Sequence, residues 1–155
     1  MILKNHSDAS YLSASRGRSR AGGHFFLGWL PQKHKPIRLN GQIFLLCEIL
    51  KFVSSSAAEA ELGALFLNTK QARIFCLTLE ELGHPQPPTP INCDNETAVG
   101  ICNRMVTRQR SRSMEMRYFW VGDQVKNGVV DVQWAPGAEN MGDYTTKHFM
   151  SRHHI

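Results

Sequence analysis

One stretch restricts the architecture more than any other. Ser56-Ala57-Ala58-Glu59 is a capping box, in which the serine side chain accepts the Glu59 amide while the glutamate reaches back to the Ser56 amide. Leu62, Leu65, Phe66, Ala72, Cys76 and Leu79 then recur at helical spacing, and Gly83 followed by Pro85 supplies the stop. The spacing predicts a helix over 57–82. Its apolar stripe has to be buried against another layer, and the segments on either side of it read as strands.

Ile2–Asp8 and His24–Leu30 are expected to be strands joined by a basic Ser/Arg/Gly loop, Ser13–Gly23. Pro31–Gly41 is a turn-rich connector. Gln42–Val53 reads as a third strand, with a short helix as the alternative, because Leu, Cys and Glu dilute its β-branched signal. After the proline-rich loop Pro85–Pro90, Pro90–Asp94 reads as a short buried strand and 96–103 as a short helix. An Arg/Ser-rich loop over 104–113 leads to a helix over Met114–Lys126, and Asn127-Gly128 turns the chain into a strand over 129–134. Pro136-Gly137 ends that strand. Asn140 is expected to cap a last helix of roughly ten residues, followed by a frayed tail over 151–155. The order β-β-β-α-β-α-α-β-α places the chain in the α/β class, with a mixed five-stranded sheet and helices packed on it. Alternation of strand, helix and strand implies that part of the sheet is parallel.

With 155 residues the chain is the size of one ordinary domain, expected over 1–150. Its best apolar run, Ile43–Leu50, is interrupted by Glu48 and falls short of the roughly 20 residues a membrane span needs. The first eight residues lack the apolar segment of a signal peptide, so export is not expected. Cys47, Cys76, Cys93 and Cys102 form no Cys-x-x-Cys pair and lie among apolar residues, which favours reduced core thiols and an intracellular protein. The net charge of +5 is unevenly spread: +6 over 1–38, −4 over 39–98 and +3 over 99–155. Basic flanks around an acidic middle suit a polyanionic partner, or simply a solvated surface of mixed sign.

Four acids stand at predicted element ends. Asp8 closes the first strand, Glu61 opens the long helix, Asp94 closes the strand after it, and Asp143 lies in the first turn of the last helix. Spacings of 53, 33 and 49 residues obey no local rule, so only a fold can bring them together. Paired Mg²⁺ ions about 3.5–4 Å apart need several carboxylates converging from different elements. Each acid also has a plain structural reading: a turn for Asp8, a cap partner of Asn140 for Asp143. Glu61 is the sharper candidate. It lies roughly 200° around the helix from Glu59 at the standard 100° per residue, at the edge of the packed side, where an unpaired carboxylate is costly without a cation.

The residues around these acids resemble a family. Ser7-Asp8-Ala9-Ser10, Ala60-Glu61-Leu62-Gly63-Ala64-Leu65, Cys93-Asp94-Asn95-Glu96-Thr97-Ala98 and Gly142-Asp143-Tyr144-Thr145-Thr146-Lys147 occur in the order and contexts of the ribonuclease H domain of copia-type retrotransposon polyproteins. Ser19–Gly28, Ser54–Glu61 and Met114–Tyr118 resemble further motifs of that family, so the likeness runs over roughly residues 5–150. The resemblance implies a ribonuclease H-like fold that hydrolyses the RNA strand of an RNA–DNA hybrid with two Mg²⁺ or Mn²⁺ ions. It assigns Asp8 to bridge the ions, Glu61 and Asp94 to complete the site, and Asp143 to hold the ion that activates water. It also implies an upstream reverse transcriptase domain in a parent polyprotein, of which this chain is expected to be a fragment or remnant.

In that setting Arg16, Arg18 and Arg20, with Arg104, Arg108, Arg110 and Arg112, are candidates for phosphate contacts, with solvated loops as the alternative. Asn95 is a candidate for a minor-groove donor or a helix N-cap. Trp120 and Trp134 are expected to pack in the core rather than stack on bases, and the histidines form no metal set. Cellular ribonucleases H usually carry a histidine before the last acid, and Ala135–Asn140 has none. A remnant that binds nucleic acid without hydrolysing it is therefore the second reading. An integrase-like nuclease on the same fold would carry its glutamate on a late helix, whereas Glu61 precedes the Asp94 strand.

Overall fold

The structure, a computed structural model, describes residues 1–29, 41–103 and 115–147. Strand β1 (Ile2–Ala14) is buried on both faces over its first seven residues, as a central strand requires. A 3₁₀ turn at Ser15–Gly17, with Arg16 and Gly17 both at positive φ, returns the chain as β2 (Arg18–Gly28), antiparallel to β1. Strand β3 (Gln42–Ile49) pairs antiparallel with β2 and forms one edge; it is a strand and not the alternative helix. Strands β4 (Thr89–Cys93) and β5 (Val130–Trp134) add in parallel on the far side of β1, giving the order β3-β2-β1-β4-β5. The expected mixed five-stranded sheet is borne out.

Helix α1 (Ala57–Glu81) packs across β1 and β2, and α2 (Glu96–Cys102) and α3 (Glu115–Lys126) lie beside it. Its start and stop are those the sequence predicts, with one exchange of partners. Ser56 Oγ accepts from Glu59 N at 3.2 Å, but the Glu59 carboxylate accepts from Ser55 N and Ser55 Oγ, both at 2.6 Å, rather than from Ser56. At the other end Gly83 takes φ 85°, Gly83 N donates to Glu80 O and His84 N to Leu79 O, which closes the last turn. Phe25, Leu65, Ile91, Val121 and Val132 fill the space between sheet and helices.

Four expectations need correction. Most of the segment expected as a basic loop, Ser13–Gly23, is strand β2. Its glycines serve close approach rather than a turn: a Cβ on Gly23 would run into Asn68 of α1, and one on Gly22 into Thr145 and Thr146 near the chain's last described residues. Strand β1 does not end at Asp8 but continues to Ala14 along β2. The last helix, expected to span about ten residues from an Asn140 cap, is a four-residue α4 (Asp143–Thr146) preceded by a 3₁₀ turn at Gly137–Glu139. Asn140 spends its side chain elsewhere. Finally, Cys47 is exposed on edge strand β3, while Cys76, Cys93 and Cys102 are buried. Among the described residues no helix is long and apolar enough to cross a membrane.

Candidate metal centre

Strand register places the first two acids. His6 on β1 stands opposite Asn92 on β4 in parallel pairing, so two residues further on Asp8 is level with Asp94, the residue after β4. Helix α1 brings Glu61 in from the side, and its Oε1 accepts from Ala9 N at 3.0 Å. Helix α4 supplies Asp143 from the opposite face of the sheet, because Gly142 before it lies against Asp8: a Cβ there would sit 2.9 Å from Asp8 Cβ. Ligand atoms of Asp8, Asp94 and Asp143 all lie within 4.8 Å of one another, and so do those of Glu61, Cys93 and Asp94. Asp94 belongs to both groups. Four elements thus deliver all four acids to one place.

Electrostatics follow from that crowding. Glu61 is 5 % exposed, and burial together with the charges of Asp8 and Asp94 pushes its pKa up to about 9. Burial raises Asp8 to about 7, against the opposing pull of a hydrogen bond from Thr146 and the charge of Lys147. Lys147 Nζ reaches Asp143 Oδ1 at 2.6 Å and Asp8 Oδ1 at 3.7 Å. Burial works to lower the Lys147 ammonium and is outweighed by the hydrogen bond to Asp143 and the charges of Asp8, Asp143 and Asp94, so its pKa is raised. One ammonium, half-exposed, is a small counterweight to four carboxyl groups.

The donor set fits divalent metal. Carboxylate oxygens are hard ligands of the kind Mg²⁺ and Mn²⁺ take. The nearby Cys93 thiol, 3.8 Å from Glu61 Oε2, is held protonated by burial and by the Glu61 charge, so it adds no competing soft ligand. Two buried carboxyls whose protons are held first by burial and then by the charge of neighbouring carboxylates are what a cation would relieve.

The remaining candidates divide. Asn95 caps α2, its Oδ1 accepting from Ala98 N at 3.0 Å, which is the capping alternative. Arg16 is exposed on the β1–β2 turn, and Arg20 points its guanidinium toward Cys47 Sγ at 3.8 Å. The Nε of Arg18 is buried without a hydrogen-bond partner. Arg104, Arg108, Arg110 and Arg112 lie outside the described residues. Trp120 packs edge-on against Phe66 as expected for a core residue, but Trp134 is half-exposed at the end of β5 and is not core; its Nε1 donates to Asp94 O at 3.2 Å. Sequence reasoning passes over Lys147, although its i,i+4 spacing from Asp143 is the signal of such a pair. It also passes over His6, two residues before Asp8 on β1. The His6 ring is buried beside His24 and Lys4; burial and those charges push its pKa down to about 4, opposed by the Glu139 carbonyl.

This sheet order, with α1, α2 and α3 on one face, α4 on the other and acids at the mouth between β1 and β4, is the ribonuclease H-like fold. Among solved structures the chain is similar to LC11-RNase H1 in complex with an RNA/DNA hybrid, with a TM-score of 0.63 at 11 % identity over 93 % of each chain. It is similar as well to the N-terminal RNase H domain of a Mycobacterium tuberculosis protein, with a TM-score of 0.58 at 11 % identity over 94 % of this chain and 90 % of that one. At that identity the likeness speaks for the fold. In sequence the chain is 25 % identical over 146 residues to the retrovirus-related Pol polyprotein from transposon TNT 1-94 of Nicotiana tabacum, covering 94 % of this chain and 10 % of the polyprotein. It is 27 % identical over 129 residues to that from transposon RE1 of Arabidopsis thaliana, covering 77 % and 9 %. No family model matches. The chain thus spans about a tenth of the curated relatives it matches, and the resemblance to the ribonuclease H domain of a copia-type retrotransposon polyprotein is borne out.

Proposed function

We propose that the chain is a metal-dependent endonuclease that cuts the RNA strand of RNA–DNA hybrids, as a retrotransposon-derived ribonuclease H domain. The observation that carries this reading is the convergence of Asp8, Glu61, Asp94 and Asp143 from four separate elements, with Asp94 common to both ligand groups. Asp8, Glu61, Asp94 and Asp143 would hold two Mg²⁺ or Mn²⁺ ions. When bound, such ions supply hydroxide near neutral pH and stabilise the departing 3′ oxygen. The chain's own part is placement. Trp134 fixes the Asp94 backbone, Ala9 N orients the Glu61 carboxylate, and Thr146 and Lys147 orient Asp8 and Asp143. Arg16, Arg18 and Arg20 on the β1–β2 hairpin offer positive charge for the hybrid's phosphates. The sequence relatives are polyproteins, which supports an upstream reverse transcriptase domain as partner.

Binding without hydrolysis is the second reading, and it draws on Lys147, which stands where it can neutralise Asp143 and Asp8 by itself. One assay separates the two. With a labelled RNA–DNA hybrid and Mg²⁺, the wild-type chain is expected to release RNA fragments, and Asp94→Asn to lose at least about a thousandfold in rate, since it removes a ligand common to both groups. Wild-type cleavage no faster than Asp94→Asn, with the hybrid still bound, leaves the noncatalytic reading standing.

A further inference from the structure

Three consecutive residues ahead of Asp143 are tied to three consecutive residues of β1. Met141 N donates to His6 Nδ1 at 3.0 Å, Asn140 Nδ2 donates to the Ser7 carbonyl at 2.8 Å, and Gly142 lies against Asp8 Cβ and Asp8 N. Asn140 also closes on its own segment, its Oδ1 accepting from Gly142 N at 2.9 Å. His6, Asn140 and Gly142 are all buried. A backbone N–H can only donate, so Nδ1 of His6 serves as an acceptor. The ring is held in place by Phe26 edge-on at 5.3 Å, by His24 at 6.4 Å and by the Asn92 side chain 3.3 Å from Nε2.

Helix α4 cannot place Asp143 unaided. It has four residues and no side-chain cap, and a single turn costs more conformational entropy than its hydrogen bonds return. Its position has to come from what precedes it. We propose that His6 and Asn140 are positioning residues that clamp residues 140–142 onto β1 and so set where the Asp143 carboxylate stands relative to Asp8 and Asp94. This inference rests on the two-ion reading above for its consequence, though the clamp is a feature of the protein itself. Neither residue needs to touch metal or substrate. Each acts through the backbone that carries Asp143, much as outer partners orient a ligand they do not replace.

The test uses His6→Phe, which keeps the ring contacts and deletes the acceptor, and His6→Asn, whose Oδ1 stands near the place of Nδ1. Calorimetric titration with Mn²⁺ is expected to show two ions on the wild type. In His6→Phe one of them weakens by about tenfold or more while the other stays within about twofold, and His6→Asn recovers most of the loss. Amide hydrogen exchange without metal gives a separate readout: Met141 and Gly142 are slow in the wild type and fast in His6→Phe, at an unchanged melting temperature. Should His6→Phe not fold, Asn140→Ala breaks the other half of the clamp and is read in the same two ways. Wild-type exchange in the folded variant overturns the proposal, and so do two ions bound as in the wild type once exchange shows the clamp broken. A wild-type chain that binds no Mn²⁺ at all overturns the two-ion reading instead, and the clamp is then decided by exchange alone.

Discussion

Asn68 shows how much one side chain of α1 does for this sheet. Fully buried, it has Ser7 Oγ, the Gly22 carbonyl and the Ala64 carbonyl within hydrogen-bond reach of the two hydrogens on Nδ2, and its Oδ1 accepts from Asn5 Nδ2 at 3.0 Å. Truncation leaves several buried polar groups without partners at once. Asn68→Ala is expected to lower stability by about 2–4 kcal/mol in urea unfolding, at the upper end of the range for a single side chain. Nothing in the sequence singles this asparagine out, because all its partners but Ala64 come from β1 and β2, more than forty residues away. The four acids were legible for the opposite reason: each sits in a short motif and at the end of a predicted element. His6 and Asn140 were not. A lone histidine in a strand carries no local pattern, and Asn140 reads as a helix cap until the short α4 shows that its side chain is spent on Ser7 and Gly142.

At the scale of elements, α1 was the most legible and the β1–β2 hairpin the least. Cap, stripe and stop are local signals, and all three are where the sequence puts them, within a residue. Ser56→Ala is expected to cost about 1 kcal/mol, read from the shift in denaturation midpoint, since it frees the Glu59 amide at a terminus that also carries Glu61. The hairpin misled because Ser, Arg and Gly are loop formers by composition. In β2 the glycines are there for lack of a side chain, which lets α1 and α4 approach the strand from its two faces. Such a requirement exists only once the helices are in place, so no single-segment reading can reach it. Trp134 also departs from its expectation: at the end of β5 it lies half in solvent.

For the whole molecule the crowded carboxyls set a dependence on pH. Glu61 titrates near 9 and Asp8 near 7 in the folded chain, both above the ordinary carboxyl range, with Asp94, Asp143, Cys93 and Lys147 as the ionisable groups around them. Between the unfolded values and these folded ones the native state holds more protons than the unfolded chain, so stability falls as pH rises. In EDTA the melting temperature is expected to decline from mildly acidic pH toward pH 9. Divalent metal competes with those protons, so Mg²⁺ or Mn²⁺ should raise the melting temperature more at pH 8 than at pH 6. Equal metal-induced shifts at the two values would count against the acids as the site of binding.

The sheet order itself was beyond the sequence, which implies a parallel part without saying which strands neighbour which. Among the described strands, that order makes β1 the one paired antiparallel on one side and parallel on the other, and its alignment is read twice, by β2 and by β4. Side chains alternate along it, with Ser7 turned toward Asn68 and Asp8 toward Gly142. A shift of β1 by a single position would put either Ser7 or Ala9 where Asp8 stands, and in both cases the carboxylate leaves the other acids. On the two-ion reading the chain therefore has no gently misaligned, slightly weaker form: correct pairing of one strand is a precondition for the site, and the fraction of metal-binding molecules in a preparation would measure the fidelity of its folding.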